Sequence, residues 1–207
     1  MAKQLKKIID TSTEAKIKEA AKKLFTQKGF NAVKTREIAT EAGINLALLN
    51  YYFRSKQKLF DIIMAENLIS FRKGMSDVLN NEKGDIYKKI EKLAIYYIDT
   101  LKENPNLALF VINAIHDNQH DIFNSTEDSL HQSRKHFAKQ FLKEIQDGKM
   151  APIHPVHLMS NIIGLIVMPF LAKPMMLKRL HVSEKEFTQI MDERKKLIPI
   201  WIKAMLK

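Results

Sequence analysis

Apolar residues recur along most of this 207-residue chain at intervals of three and four, the repeat that gathers side chains on one face of a helix. Ile17, Ala20, Ala21, Leu24 and Phe25 mark a first amphipathic helix. A basic tail over 1–11 precedes it, and Thr11 and Glu14 have the spacing of a capping box at its start. Gly29 ends this helix, and two short ones are expected over 35–42 and 45–52. Ser55 suits the cap of a long fourth helix through Leu59, Ile62, Ile63, Leu68, Phe71, Met75 and Leu79. After a loop at 80–85, a fifth helix carries Ile86, Ile90, Leu93, Ala94, Tyr97 and Leu101. A break at 103–106 puts Pro105 in the first turn of a sixth helix with Leu109, Phe110 and Ile112. Residues 116–126 are polar and expected to be irregular. A seventh helix starts at Glu127 and ends near Gly148. Two more are expected over 153–168 and 184–206, separated by a segment that Pro169 and Pro174 interrupt. No alternating strand pattern persists, so the expected fold is all-α with about nine helices.

Within that frame, the run from Thr35 to Lys56 holds the strongest local signal. Thr35 can cap a short helix whose apolar face is Ile38, Ala39 and Ala42. Gly43 stands where the chain must turn, because it adopts positive φ without a Cβ penalty. Ile44 then anchors the turn, and Asn45 is a good N-cap for the next helix. Two short helices about a tight turn form a helix-turn-helix, whose second helix enters a DNA major groove.

This stretch resembles the TetR family of bacterial transcriptional regulators. The match is carried by Ala20, Leu24, Phe25, Gly29, Phe30, Thr35, Ile38, Ala39, Ala42, Gly43, Ile44, Tyr52, Phe53, Ser55, Lys56 and Leu59, and covers roughly the first 60 residues. Asn50 departs from it, standing where many members carry Tyr. The resemblance implies a three-helix DNA-binding head (1–54) and a helical regulatory domain (55–207) for ligand binding and dimerisation. It implies that Thr35, Arg36, Tyr51, Tyr52 and Lys56 hold the DNA backbone while Asn45, Leu46, Ala47 and Leu48 face the groove. Apolar side chains at 46–48 meet thymine methyl groups but make no bidentate hydrogen bonds, so direct readout is expected to be modest, with DNA shape contributing.

Charge sharpens this picture. Residues 1–60 hold 13 Lys/Arg against 5 Asp/Glu, a net of +8, whereas 61–207 hold 21 against 18, a net of +3. The basic excess therefore lies on the segment with the motif, as a phosphate-binding surface requires.

Two apolar stripes close the chain. One runs through Val156, Met159, Ser160, Ile163, Gly164 and Val167, the other through Ile190, Met191, Arg194, Leu197, Ile198 and Trp201. The family pairs its last two helices across a dimer axis, so Ser160, Ile163, Gly164, Val167, Arg194, Leu197, Ile198 and Trp201 are the expected interface. Its members commonly bind a small effector among the preceding helices, for which Phe71, Tyr96, Phe110, Ile112, Phe137 and Phe141 are the candidate lining.

Cysteine is absent, which excludes disulfides and thiol chemistry. His116 and His120 stand at i, i+4 near Asp117 and Asp121, and His131 and His136 are five apart; solvated side chains explain both better than a metal site. No catalytic motif is present, and no enzyme activity, cofactor or metal is expected. The most apolar window, 162–176, is shorter than a membrane span, and no signal peptide is evident, so a cytoplasmic protein without a membrane partner is expected. The resulting expectation is a homodimeric regulator, a ligand-responsive repressor on a palindromic operator. The rivals are a DNA-binding protein of the same fold governed by a protein partner, and more distantly a metal-dependent helical enzyme.

Overall fold

The helical repeat is realised in nine helices and no strand among the residues described by this computed structural model, namely 2–80, 85–116 and 127–207, with side chains from 12 and, in the last stretch, from 130. They are α1 (Ala2–Lys28), α2 (Thr35–Glu41), α3 (Leu46–Phe53), α4 (Lys56–Leu79), α5 (Ile86–Glu103), α6 (Leu107–His116), α7 (Glu127–Gln146), α8 (Pro155–Arg179) and α9 (Glu184–Met205). The loop expected at 80–85 and the irregular segment at 116–126 fall largely outside the described residues, as do Asp117, His120, Asp121 and Phe123.

The chain divides into two compact units, Met1–Asn67 and Leu68–Lys207. The division falls within α4, later than the 54/55 boundary read from the sequence. The physical reason is that the first turns of α4 belong to the head. Leu59, Phe60 and Ile63 are buried there, and the Phe60 ring packs edge-on against Phe25 at 5.3 Å and tilted against Phe30 at 4.6 Å. In the same unit α1 is longer than expected. It begins at Ala2, so the tail over 1–11 is helical and Thr11 lies inside the helix rather than at its cap. Neither Gly nor Pro interrupts that stretch.

In the larger unit α5 is the centre. Ile86, Ile90, Leu93, Ala94, Ile98 and Leu101 form its buried stripe, and it packs chiefly on α9, with α8 and α7 alongside. Two ion pairs fix α5 against α9, Lys102 to Asp192 at 2.7 Å and Lys195 to Asp99. A buried hydroxyl pair, Ser76 with Ser133 at 2.7 Å, joins α4 to α7.

One sequence expectation is corrected here. Residues 155–179 form a single helix that continues through Pro169 and Pro174. It is long and apolar enough to cross a membrane by composition, which the shorter window had argued against. Leu158, Ile162, Ile166, Val167 and Phe170 of this helix are nevertheless buried in the core of the unit. A proline removes the N–H that would bond the carbonyl four residues back. For Pro169 that carbonyl belongs to Leu165, and it accepts instead from Arg194 of α9, from Nη2 at 2.6 Å and Nε at 3.2 Å. The orphaned acceptor is therefore satisfied from the neighbouring helix.

Candidate functional site

The turn between α2 and α3 is built from its backbone outward. Ala42 ends α2 in the right-handed region, and Gly43 follows at φ +67°. The Ile44 N–H then donates to the Ala39 carbonyl at 3.0 Å and the Gly43 N–H to that of Thr40 at 3.1 Å. These two bonds make a Schellman closure, which a left-handed residue at this position requires. Asn45 caps α3 as the sequence implies, its Oδ1 accepting from the Leu48 N–H at 2.8 Å. Thr35 does not cap α2. The N-cap is Lys34, whose own N–H donates to the Glu37 carboxylate at 2.7 Å, and Thr35 is the first helical residue.

Helix α3 buries Leu49 and Phe53 and half-buries Leu46, Leu48 and Tyr52. Its outward face is Ala47, Asn50 and Tyr51, with Tyr51 77% exposed, and the exposed Arg54 follows at the C-cap with φ +59°. The exposed face of α3 is therefore not the one expected to meet the groove. Asn45 has spent its carbonyl oxygen on the cap, and Leu46 and Leu48 face partly inward. Asn50 and Arg54 were not among the expected contacts; counting three from Ala47 along a helix places Asn50 on this exposed face.

Lys56 has partners within the head. Its ammonium, expected at a phosphate, donates to the carbonyls of Phe30 and Val33 at 2.9 Å each and lies 4.3 Å from the centre of the Phe30 ring. It locks the start of α4 onto the loop after α1, so its charge is committed inside the head.

Four acidic groups of the head are likewise committed. Lys28 pairs with Glu37 and Lys23 with Glu41, each at 2.6 Å, bracing α1 against α2. Lys18 pairs with Glu66 at 2.8 Å and with Glu14 at 3.0 Å. The Lys28 ammonium, and then the Lys34 N–H, hold the Glu37 carboxyl below its ordinary range. Arg36, Arg54 and Lys58 form no ion pair among the described residues, so their charge stays uncompensated at the exposed surface of α2, α3 and the start of α4.

The larger unit contains a cavity of about 410 Å³. That falls within the ~300–1,000 Å³ typical of small-molecule sites. Of the expected lining, Phe71 and Ile112 are on its wall. Tyr96 is not, because its hydroxyl donates to the Ser70 and Phe71 carbonyls at 3.3 and 3.2 Å, and its ring lies against Gly74. Phe137 and Phe141 are core, and Phe110 is buried away from the wall. Tyr97, one position on, takes the place expected of Tyr96, along with Arg72 and Arg134.

The last two helices leave an apolar strip uncovered in the single chain. Ile163, Leu197 and Trp201 are 36–39% exposed, Val156, Met168 and Ile200 about 60%, and Ser160 is exposed. A Cβ at Gly164 would meet nothing within 4 Å. Ile198 is fully buried and Val167 nearly so, which makes both core rather than surface. Arg194 is turned inward to Leu165, with Trp201 5.0 Å from its guanidinium. Among the described residues no three His, Asp or Glu side chains converge as a metal site.

Comparison with known proteins gives the same placement. Residues 17–63 match the model of the bacterial regulatory proteins of the tetR family. Over 204 residues the chain is 26% identical to the probable HTH-type transcriptional regulator YttP of Bacillus subtilis (strain 168), covering 95% of each chain. Among solved structures it resembles a TetR transcription regulator from Haloarcula marismortui (TM-score 0.63, 17% identity, 95% of this chain and 100% of that one). It also resembles the ketosteroid transcriptional regulator KstR2 of Mycobacterium tuberculosis (TM-score 0.64, 17% identity, 94% and 95%).

Proposed function

From a chain that belongs to the TetR family and is a DNA-binding transcriptional regulator, we propose a homodimeric, ligand-responsive repressor that recognises a palindromic operator. The observation that carries this reading is the outward face of Ala47, Asn50 and Tyr51 with the exposed Arg54 after it, flanked by uncompensated Arg36 and Lys58. Asn50 is suited to a bidentate contact with adenine, Ala47 to a thymine methyl group, and Tyr51, Arg54 and Arg36 to phosphates. Lys56 serves by holding α4 to the rest of the head. The strip at Ser160, Ile163, Gly164, Leu197 and Trp201 supports self-association, because a two-fold pair would bury one patch against its copy. Two heads on such an axis match a palindrome.

The cavity favours a small effector over control by a protein partner alone. Helix α4 contributes Leu59, Phe60 and Ile63 to the head and Leu68, Phe71 and Met75 to the cavity unit. An occupant that prefers one setting of α4 would shift the population of DNA-competent dimers. Such a regulator acts where the chromosome is, in the cytoplasm.

Selection of a binding sequence from random duplexes, followed by anisotropy titration over a range of salt, tests this. A palindromic consensus bound by two chains is expected, with a log–log salt slope of roughly −4 to −8 at about −0.9 per neutralised phosphate. A flat salt response, or a consensus with no two-fold symmetry, refutes it.

A further inference from the structure

Tyr96 of α5 grips α4 at a point where that helix makes room for it. Gly74 lies well inside α4, a position where glycine is less favourable than alanine. A Cβ there would run into the Tyr96 hydroxyl and ring, so the missing side chain is what lets Tyr96 lie on the α4 backbone. From that place its hydroxyl is shared between the carbonyls of Ser70 and Phe71, at 3.3 and 3.2 Å. Burial raises the Tyr96 phenol, so it stays protonated and able to donate at neutral pH.

The same two carbonyls are the helical acceptors for the N–H groups of Gly74 and Met75, four residues on. A glycine and an outside donor within one turn are features that let a helix bend. Just beyond, the Ser76 hydroxyl is paired with that of Ser133 on α7 at 2.7 Å. The stretch after Gly74 is therefore tied to the body of the unit, and Tyr96 holds the turn before it. Helix α5 gives that hold a firm base, because Lys102 with Asp192 and Lys195 with Asp99 fix it to α9.

Phe71 connects this grip to the cavity. Its ring is part of the cavity wall, where it meets Tyr97 edge-on at 4.5 Å. The same ring stacks on Tyr96, with centres 5.8 Å apart and planes within 4°. Its carbonyl is one of the two that Tyr96 holds. An occupant that displaces Phe71 thus disturbs a ring contact and a hydrogen bond to one tyrosine at once.

We propose that Tyr96 is the positioning residue through which filling of the cavity sets α4. Its hold on Ser70 and Phe71 favours the setting that binds DNA, and displacement of Phe71 releases that hold about Gly74. This rests on the reading of the cavity as an effector site and assigns the contact that reports its filling.

A bulky side chain on the cavity wall serves as the occupant in the test. Ile112→Trp, at a partly exposed wall position, and Ala108→Phe, at a buried one, are each made in the full-length wild type and in Tyr96→Phe. Affinity for the selected duplex is measured by anisotropy at one salt concentration, with circular dichroism and thermal melts on the same samples. In the wild type each wall substitution should weaken duplex binding about tenfold, within the ~5–150-fold usual for coupled sites. Tyr96→Phe alone should weaken it about threefold, as loss of one hydroxyl hydrogen bond allows. In Tyr96→Phe the wall substitution should add less than about threefold, because the hold it releases is already gone. A merely structural Tyr96 would lower the melting temperature and leave the effect of the wall substitution undiminished. That result overturns the role of Tyr96 and spares the effector reading. Wall substitutions that leave duplex binding of the folded wild type unchanged sink both. Should Ala108→Phe fail to fold, Ile112→Trp decides, since residue 112 is already partly exposed.

Discussion

Arg194→Ala should destabilise the larger unit chiefly because Pro169 stands on another helix. In the native protein Arg194 supplies the Leu165 carbonyl with the donor that residue 169 lacks, through Nη2 at 2.6 Å and Nε at 3.2 Å. A hydrogen bond to a charged donor contributes about 1.5–3 kcal/mol, and the half-buried setting of Leu165 favours the lower end. The contact of the guanidinium with the Trp201 ring, at 5.0 Å, adds roughly 0.5–1 kcal/mol that does not depend on Pro169. Arg194→Ala should therefore cost about 2–3 kcal/mol with Pro169 in place. In a Pro169→Ala background the backbone N–H restored at that position can bond the Leu165 carbonyl in the ordinary helical way, and the same truncation should cost only the ring contact. The coupling is then about 1–2 kcal/mol, well above the ~0.3–0.5 kcal/mol expected of independent sites. Urea unfolding of the four proteins at one fixed protein concentration measures it, since stability of a self-associating chain depends on concentration. A coupling below about 0.5 kcal/mol would refute the idea that Arg194 replaces the bond that proline removes.

Other outcomes follow from the same geometry. Asn50→Ala should relax base preference at one half-site position while costing about 1–3 kcal/mol on the preferred duplex, whereas Tyr51→Phe should weaken all duplexes alike; competition with scrambled DNA checks both. Gly74→Ala places a Cβ against the Tyr96 ring and should cost about 1–3 kcal/mol as overpacking, partly relieved by Tyr96→Leu, as thermal melts will show. Gly164→Leu meets open space within one chain, so it should leave monomer folding intact while weakening self-association seen by sedimentation; an unchanged dimer would put the interface elsewhere. Lys102 and then Lys195 hold the Asp192 carboxyl below its ordinary value of 3.8, so its stabilisation is full above that pH and is lost as pH falls through the depressed folded value. Asp192→Asn should thus cost at most about 1 kcal/mol at pH 7 for so exposed a pair, with the difference from wild type shrinking as pH falls below 3.8; a constant difference would rule out the ion pairs as its source.

Much of this protein was legible from local chemistry. Schellman closure at Gly43, the Asn45 cap and the burial of Ile38, Ala39 and Leu49 depend on residues a few positions apart, and the sequence displays that spacing directly. The all-helical fold follows from the same short-range periodicity, as does the placement of basic charge on residues 1–60. Partnership across long separations could not be read this way. Lys56 looks like a phosphate ligand until Phe30 and Val33 present their carbonyls to it, and Arg194 looks like an interface residue until Leu165 claims its guanidinium. Tyr96 and Tyr97 differ by one step in sequence but by about 100° around a helix, which sends one ring to Gly74 and the other to the cavity. A proline reads as a stop because it deletes a local bond. Whether the helix stops depends on what a distant segment brings to the carbonyl left behind, and only the folded chain supplies that.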